Sequence, residues 1–290
     1  MHTIRLTPPA LPLRSHVRWY AQRQVRLGSG LFTHPVAARA APLITFDFGD
    51  PVRVQYENTA NPEVTFRTGV VGTQTHRRAL LLLEGAIDAF VILFHPTGLH
   101  RLFSIPMNEL TDADYEAHSV LGRAVSSLEQ RLGNCSTFAE RVRIADEFLL
   151  ARALSGRTLS PIAKAACEIL LTAGNVRIPA LANKAGLSTR QFERRFIEEV
   201  GTPPKPYGRI ARFEAALDCK ARSPETSWAD VAHQFRYHDQ MHMVHDFEGF
   251  TGRTPMKVLG QIESVFGEQI AAMRSRSASM NVPTDERLIF

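Results

Sequence analysis

Two arginines and a glutamine in the C-terminal half have the spacing of side chains that read the edges of DNA bases. Arg190, Gln191 and Arg194 lie within five residues of one another. Arginine and glutamine can form paired hydrogen bonds with guanine and adenine in the major groove. A helix would turn all three outward, because Phe192 and Phe196 lie four residues apart and would form its buried side. For a single helix, a solvated charged face is the competing interpretation.

A helix-turn-helix pattern would position these side chains. The apolar segment that begins at Ile178 is interrupted at Gly186, and glycine can adopt left-handed backbone angles without a Cβ clash. Ser188 stands three residues before Gln191, a capping-box spacing that predicts the start of a second helix. Residues 178–196 therefore predict a short helix, a tight turn and a recognition helix.

The same pattern returns about fifty residues later. Residues 227–232 would form the scaffold helix, and Asp239 would cap a second recognition helix with Met243, Phe247 and Phe250 on its buried side. The candidates for base contacts by this helix are Gln240, Met241, His242 and His245. The candidates for phosphate contacts in the two units are Ser188, Lys205 and Arg253.

A linker helix is predicted between the two units. Pro203 and Pro204 fit a helix start, and an apolar helical spacing continues to Ala221. A helix of roughly 18 residues is about 27 Å long. Recognition helices that read adjacent major-groove segments on one DNA face lie about 34 Å apart. The predicted length is compatible with both units binding the same face.

This stretch resembles the DNA-binding domain of the AraC/XylS family of bacterial transcription regulators. The residues that carry the resemblance are Leu181, Ala182, Gly186, Leu187, Ser188, Phe192, Arg195, Phe196, Gly201, Pro204, Tyr207, Arg212, Ala216, Val231, Ala232, Tyr237, Asp239, Gln240, His242, Phe247, Gly252, Thr254 and Pro255. Three positions depart from the family pattern: Arg236 replaces the usual turn glycine, Met241 a common serine and Met243 a common aromatic residue. The resemblance implies an activator that binds double-stranded promoter DNA and works with RNA polymerase, with a homodimer as one possible assembly.

Catalysis and metal binding have weaker support in the sequence. His238 and His242 have an i, i+4 spacing that could share a metal ion, with His245 and Asp246 nearby. However, His238 precedes the predicted helix cap, and outward histidines on a recognition helix more simply contact phosphates or bases. Neither a phosphate-binding Gly-rich loop nor a Gly-x-Ser-x-Gly turn is present. We therefore expect no enzyme activity, no metal site and no cofactor.

Composition and cysteine content set broad limits. The chain of 290 residues has a net charge of +5, which agrees with a nucleic-acid partner but would not identify one. Its three cysteines are too widely spaced for a zinc knuckle and too few for a disulfide framework. No apolar stretch predicts a signal peptide or a membrane span. We expect a cytoplasmic protein with no membrane partner.

The N-terminal region predicts short strands. Residues 43–48 and 52–56 alternate around a turn signal, and residues 80–83 and 87–94 flank Gly85; each pair is most simply a hairpin. Residues 14–20 would form an edge strand or a short helix. Several short strands with turns between them favour a small barrel or sandwich. Residues 70–75 and 94–112 are similar to the sensory domain of one subgroup of the same family, a similarity that names no ligand and no ligand-binding residue.

The expected fold class is α+β. A β-rich sensory or effector domain (1–110) would be followed by helices that complete its core, dimerise or connect the two ends (111–173), with core completion and dimerisation equally favoured. The DNA-binding domain (174–265), all helical with two helix-turn-helix units, and a tail (266–290) without apolar periodicity would follow. The N-terminal domain would bind a small-molecule effector, or it would serve only as a protein-interaction or dimerisation module; we favour the effector.

Overall fold

The computed structural model describes residues 2–28, 30–77, 79–153 and 160–260. In these residues the N-terminal strands form two antiparallel sheets. The larger sheet has the order β1 (His2–Thr7), β2 (Val17–Arg26), β9 (Ala86–Phe94), β4 (Leu43–Asp47), β7 (Thr68–Val71) and β10 (Asp114–Glu116). The smaller sheet has the order β3 (Phe32–Val36), β8 (Ala79–Leu83), β5 (Arg53–Tyr56) and β6 (Glu63–Val64). The expected sandwich is confirmed, and the sheets do not close into a barrel.

Helices cover one face of the larger sheet and form the first core with it. After α1 (Gly98–Phe103) and α2 (Ala117–Leu121), the helices α3 (Ala124–Gly133) and α4 (Phe138–Ala153) supply most of the apolar cover. Phe46 and Phe90 on this face are fully buried. Arg141 of α4 forms an ion pair with Asp88 at 2.7 Å beneath this cover. Such pairing compensates part of the cost of burying both charges.

Both hairpin predictions are wrong. Strands β4 and β5 belong to different sheets, and so do β8 and β9. The chain crosses between the sheets at Gly85, whose φ is +68°. Near this crossing Gly49 packs so closely that a Cβ atom would lie 2.2 Å from the carbonyl oxygen of Ala86. An apolar run long enough to be buried on both faces predicts a strand but does not specify its partner.

The prediction for residues 14–20 is also wrong, because β2 is an interior strand. It pairs with β1 on one side and with β9 on the other, with Tyr20 opposite Ile92. Four arginines, two glutamines and a histidine in residues 14–26 hide the apolar alternation of this strand. Its polar side chains lie on both faces of the strand: Gln22 is buried on one face, and Arg23 is half-buried on the other.

The segment 111–173 is divided between two cores. A short strand, β10, precedes α2, although a helix was expected from Thr111 or Asp112. Helices α3 and α4 pack in the first core, whereas α5 (Pro161–Leu171) packs against the C-terminal helices. The expected breaks at Gly133 and Gly174 are present. The tail, 266–290, and residues 156–159 of another expected break lie outside the described residues.

The second core is helical and contains both predicted units. Its elements are α6 (Ile178–Lys184), α7 (Thr189–Val200), α8 (Pro204–Arg222), α9 (Trp228–Gln234) and α10 (Gln240–Thr251). Phe196 of α7 packs edge-on against Tyr207 of α8, and Phe213 of α8 packs edge-on against Phe247 of α10. The linker helix α8 is therefore the central element of this core, with one unit packed on each end.

Candidate nucleic-acid interface

The two recognition helices correspond residue by residue. Both α7 and α10 contain 12 residues, and α10 begins 51 residues after α7. Phe192 and Phe196 on the buried side of α7 correspond to Met243 and Phe247 on α10. Each helix ends at a left-handed glycine that stops it after the same number of turns. This correspondence identifies which side chains occupy equivalent exposed positions.

Side-chain caps begin both recognition helices. The Ser188 hydroxyl accepts a hydrogen bond from the Gln191 backbone N–H (3.3 Å), and the Gln191 Oε1 accepts one from the Ser188 backbone N–H (3.1 Å). The Asp239 carboxylate accepts from the His242 backbone N–H at 2.7 Å, which lowers the pKa of Asp239. The capping box occupies the carbonyl oxygen of Gln191, so its Nε2 amide is the group directed to other partners.

Left-handed turn residues precede both caps. Gly186 has a φ of +67°, and Arg236 at the equivalent position has a φ of +55°. A non-glycine residue in this region carries backbone strain. The Arg236 guanidinium also donates a 3.2 Å hydrogen bond to the Asn175 side chain. The departure from glycine therefore keeps the turn conformation at a cost in strain.

The base-contact candidates are exposed on both helices. Arg190, Gln191 and Arg194 project from α7. Gln240, Met241, His242 and His245 project from α10, and Met241 is 59% exposed. The exposed set also contains Arg195, which sequence reasoning treated only as a family match. Its position in the sequence, next to Arg194 on the charged side of the helix, could have identified Arg195 as a candidate for DNA contact.

Asp246 does not join the histidines with which it was grouped as a metal candidate. Its carboxylate is buried and accepts a 2.6 Å hydrogen bond from Arg209 of α8. The neighbouring Tyr237 is also buried, and burial raises the pKa of its phenol. Within the described ranges, no group of three or more histidine, cysteine, aspartate or glutamate residues could hold a metal ion.

The three phosphate candidates lie in different surroundings. Ser188 is exposed and takes part in the capping box, and Lys205 is exposed in the first turn of α8. Arg253 lies close to His34 of the smaller sheet. Burial, followed by Arg23 and Arg253, lowers the pKa of His34 to about 4. Arg253 is thus near the N-terminal domain as well as the end of α10.

Hydrogen bonds connect the N-terminal domain to the last residues of both recognition helices. The Thr73 and Thr111 hydroxyls donate to the carbonyl oxygens of Val200 (2.8 Å) and Gly201 (2.7 Å), at the end of α7. The backbone N–H of Ala38 donates to the carbonyl oxygen at position 250 of α10 (2.9 Å). No local sequence pattern indicated these contacts, which join residues more than 90 positions apart in most cases.

The family comparisons agree with this geometry. Residues 181–261 match a family model described as a helix-turn-helix domain. The C-terminal domain is an AraC-type helix-turn-helix domain. The protein is accordingly a DNA-binding transcription regulator. Residues 5–116 match a domain of unknown function, DUF6597. Among curated proteins, no relative matched the chain.

Solved structures of ToxT and of one AraC-like activator were matched along most of the chain. ToxT from Vibrio cholerae, in a P21 crystal form, has 10% sequence identity and a TM-score of 0.50, covering 83% of this chain and 98% of ToxT. ToxT bound to (E)-4-(8-methylnaphthalen-1-yl)but-3-enoic acid has 10% identity, a TM-score of 0.48 and coverages of 84% and 99%. The AraC-like transcriptional activator CuxR has 13% identity, a TM-score of 0.31 and coverages of 74% and 81%. At such identities the likeness concerns the fold alone.

One further observation concerns membranes. No helix in the part of the chain that the structure describes is long and apolar enough to span a bilayer.

Proposed function

We propose that α7 and α10 enter successive major-groove segments on one face of promoter DNA. The observation that carries the proposal is the residue-by-residue repeat of two capped recognition helices joined by one rigid helix. The 19 residues of α8 span about 28 Å. Adjacent major-groove segments are about 34 Å apart, so a linker of this length suits one DNA face.

The exposed side chains of α7 would supply most of the base reading. Arg190 and Arg194 would each form paired bonds with guanine, and the Gln191 Nε2 would donate to a base acceptor. On α10, Gln240, Met241, His242 and His245 would contact the second groove. Ser188, Lys205 and Arg253 would contact phosphates. RNA polymerase is the protein partner that the family resemblance implies, and a homodimer is an assembly it allows.

Selection of bound duplexes from a random pool by the full chain tests the groove geometry. We expect two information-rich segments whose centres are about 10 base pairs apart. A motif with one segment would limit base reading to a single helix. A pool without enrichment at moderate salt would reject sequence-specific binding, because phosphate contacts alone do not discriminate between sequences.

We also propose that a small molecule binds between the two sheets and modulates DNA binding. The two faces of the larger sheet differ in exposure. Tyr20 and Phe90, which face the helices, are fully buried. Ala21, Ala89 and Val91 alternate with them, face the smaller sheet and are only half-buried. Solvent therefore reaches these side chains on the face toward the smaller sheet.

The residues around this space suit an amphipathic anion. Leu81 and Val91 supply apolar contact area, and Ala21 and Ala89 leave room beside them because their side chains are small. Arg23 supplies a positive charge, and burial lowers the pKa of its guanidinium. In the same interior, burial raises the pKa of Asp47 to about 7, so this carboxyl group repels an anion less than an ordinary aspartate does.

The contacts between domains offer a route from this ligand to DNA. Strand β3, which contains His34, leads directly to Ala38 and its hydrogen bond to α10. On the larger sheet, β7 leads to Thr73 and its bond to α7. A ligand that binds one arrangement of these strands better would shift the helix ends with them, and only such differential binding can change DNA affinity.

Thermal shift with a panel of aliphatic and aromatic monocarboxylates, each paired with its primary amide, tests the effector site. We expect some acids, but not their amides, to raise the melting temperature and to change the Kd for the selected duplex. Arg23→Gln should remove the preference for acids, and Ala21→Leu should fill the space and weaken both members of each pair. Arg26→Gln, at the exposed end of the same strand, is the matched control.

The alternative function predicts a different result. If the N-terminal domain is only an interaction or dimerisation module, no acid or amide in the panel changes the melting temperature or the DNA affinity. In that case sedimentation of the full chain with the duplex should show a second copy of the chain bound. This outcome would reject the effector and leave the groove contacts of α7 and α10 intact.

A further inference from the structure

The equivalent exposed positions of the two recognition helices carry different charges. Arg194 of α7 corresponds to His245 of α10, and Gln191 corresponds to His242. The remaining α7 arginines, Arg190 and Arg195, correspond to a methionine and to buried Asp246. The sequence of α10 contains no lysine or arginine, although this helix occupies the same structural role as α7.

We propose that the second unit contacts DNA through protonated His242 and His245, so that forming its half of the complex takes up protons. The proposal rests on the proposed entry of α10 into the major groove. In this proposal the two side chains attract DNA only in their protonated forms, because a neutral imidazole carries no positive charge.

The geometry of α10 places the two histidines together. His242 and His245 are three residues apart and exposed, so they lie on one side of the helix. The opposite side is buried through Met243 and Phe247. One turn beyond His245, a Cβ atom added to Gly249 would meet nothing within 4 Å, so no neighbouring element among the described residues covers this side.

Within α10 itself, positive charge can come only from His242 and His245, because the helix contains no lysine or arginine. On α10, Asp239 caps the helix and pairs with His238 at 3.1 Å, and Glu248 is exposed. On the packed elements, Arg209 is paired with Asp246, and Arg212 lies over the Tyr237 ring. Lys220 lies over the Trp228 ring, which packs on Phe247, and Asp230 and His233 of α9 are exposed. Arg77 and Arg253 lie near the far end of α10.

Asp239 and Glu248 face the solvent at opposite ends of α10 and would repel phosphates. The His242 ring stands edge-on to the Tyr237 ring, with 5.7 Å between the ring centroids. This neighbour is an uncharged ring, so it does not oppose a positive charge on His242. Histidine is the side chain whose charge ordinarily changes between pH 5 and 8. The negative charge of the DNA favours the imidazolium form of a histidine bound in the groove, and linkage then requires DNA affinity to increase as the pH falls.

Fluorescence anisotropy with the duplex selected at pH 6 measures this linkage. The Kd of the full chain is determined from pH 6 to pH 8 at constant ionic strength, with EDTA present to exclude metal bridges. We expect binding at pH 6 to be tighter than at pH 8 by about fivefold or more for each histidine whose charged form contacts DNA. The double variant His242→Gln and His245→Gln should lose most of this dependence.

Two further variants make the result specific. His245→Arg should keep only the share of the pH dependence that His242 contributes, because arginine keeps its charge throughout this range. His118→Gln, which changes an exposed histidine of α2, is the matched control and should keep the wild-type pH dependence. Circular dichroism at each pH confirms that the variants remain folded.

Two failures can be told apart. Equal pH dependence in the wild type and the double variant, with a duplex that contains two information-rich segments, would overturn the proton uptake and retain the proposed groove contacts. A selected duplex with only one segment, whose Kd is unchanged by the double variant, would overturn the groove contact of α10 and the proton uptake with it. A loss of pH dependence in the His118 control would also contradict the assignment.

Discussion

The Thr73 hydroxyl donates a buried 2.8 Å hydrogen bond to the carbonyl oxygen of Val200. Thr73 follows strand β7 of the sandwich, and Val200 is the last residue of the first recognition helix. The last carbonyls of a helix have no partner within the helix and need one elsewhere. The N-terminal domain supplies that partner, so the end of α7 depends on the domain proposed to hold the effector.

Replacing Thr73 with valine should destabilise the chain by about 1–3 kcal/mol, because the buried carbonyl of Val200 loses its hydrogen bond while the side-chain volume stays similar. Urea unfolding measures the change. Thr65→Val is the control, since the Thr65 hydroxyl bonds to Val52 within the N-terminal domain. If both variants also bind DNA with equal Kd values, the Thr73 contact has no influence on α7.

Arg194→Ala should weaken binding to the selected duplex by about 1–3 kcal/mol and relax the preference at one base position. The reason is the loss of a paired hydrogen bond to one base edge. Anisotropy with the selected duplex and with single-position variants of it provides the measurement. Arg143→Ala, at an exposed arginine of α4, serves as the control. An equal loss on every duplex would make Arg194 a phosphate contact.

Arg236→Gly should stabilise the chain by up to about 1 kcal/mol, because glycine adopts the left-handed conformation without strain. The exposed hydrogen bond to Asn175 that it removes contributes little. The equivalent Gly186→Ala should destabilise the first unit by about 1–2 kcal/mol from backbone strain alone, since a Cβ there would meet nothing within 4 Å. A lower melting temperature for Arg236→Gly would show that the arginine side chain stabilises the turn.

Acid should destabilise the protein in part through His16. Burial, followed by Arg101 and His95, lowers the pKa of His16 to about 4. The unfolded chain binds this proton at a pKa near 6.5, so the contribution of His16 to stability is complete above about pH 6.5 and is lost as the pH falls toward 4. We expect His16→Gln to reduce the loss of unfolding free energy between pH 7 and pH 5 by roughly 1–2 kcal/mol. If the unfolding free energies of the wild type and the variant changed with pH in parallel, His16 would take up a proton in the folded protein as readily as in the unfolded chain.

The sequence by itself determined the local structure of the DNA-binding domain. The capping box of Ser188 and Gln191, the cap at Asp239 and the left-handed turn at Gly186 all agree with its prediction. Each depends on hydrogen bonds or backbone preferences within a few residues, so the local order of residue types is sufficient to specify it. The exposed side of α7 followed from the spacing of its buried phenylalanines.

The tertiary structure alone decided which strands pair, where Asp246 points and how the domains meet. Strands β4 and β5 looked like a hairpin, yet they do not pair with each other: β4 pairs with β7 and β9, and β5 pairs with β6 and β8. Asp246 was grouped with histidines one turn away, yet its partner is Arg209 on another helix. These outcomes depend on contacts between segments that are distant in the chain. The free energy of such contacts comes from burial and long-range pairing, so the order of neighbouring residues does not specify them.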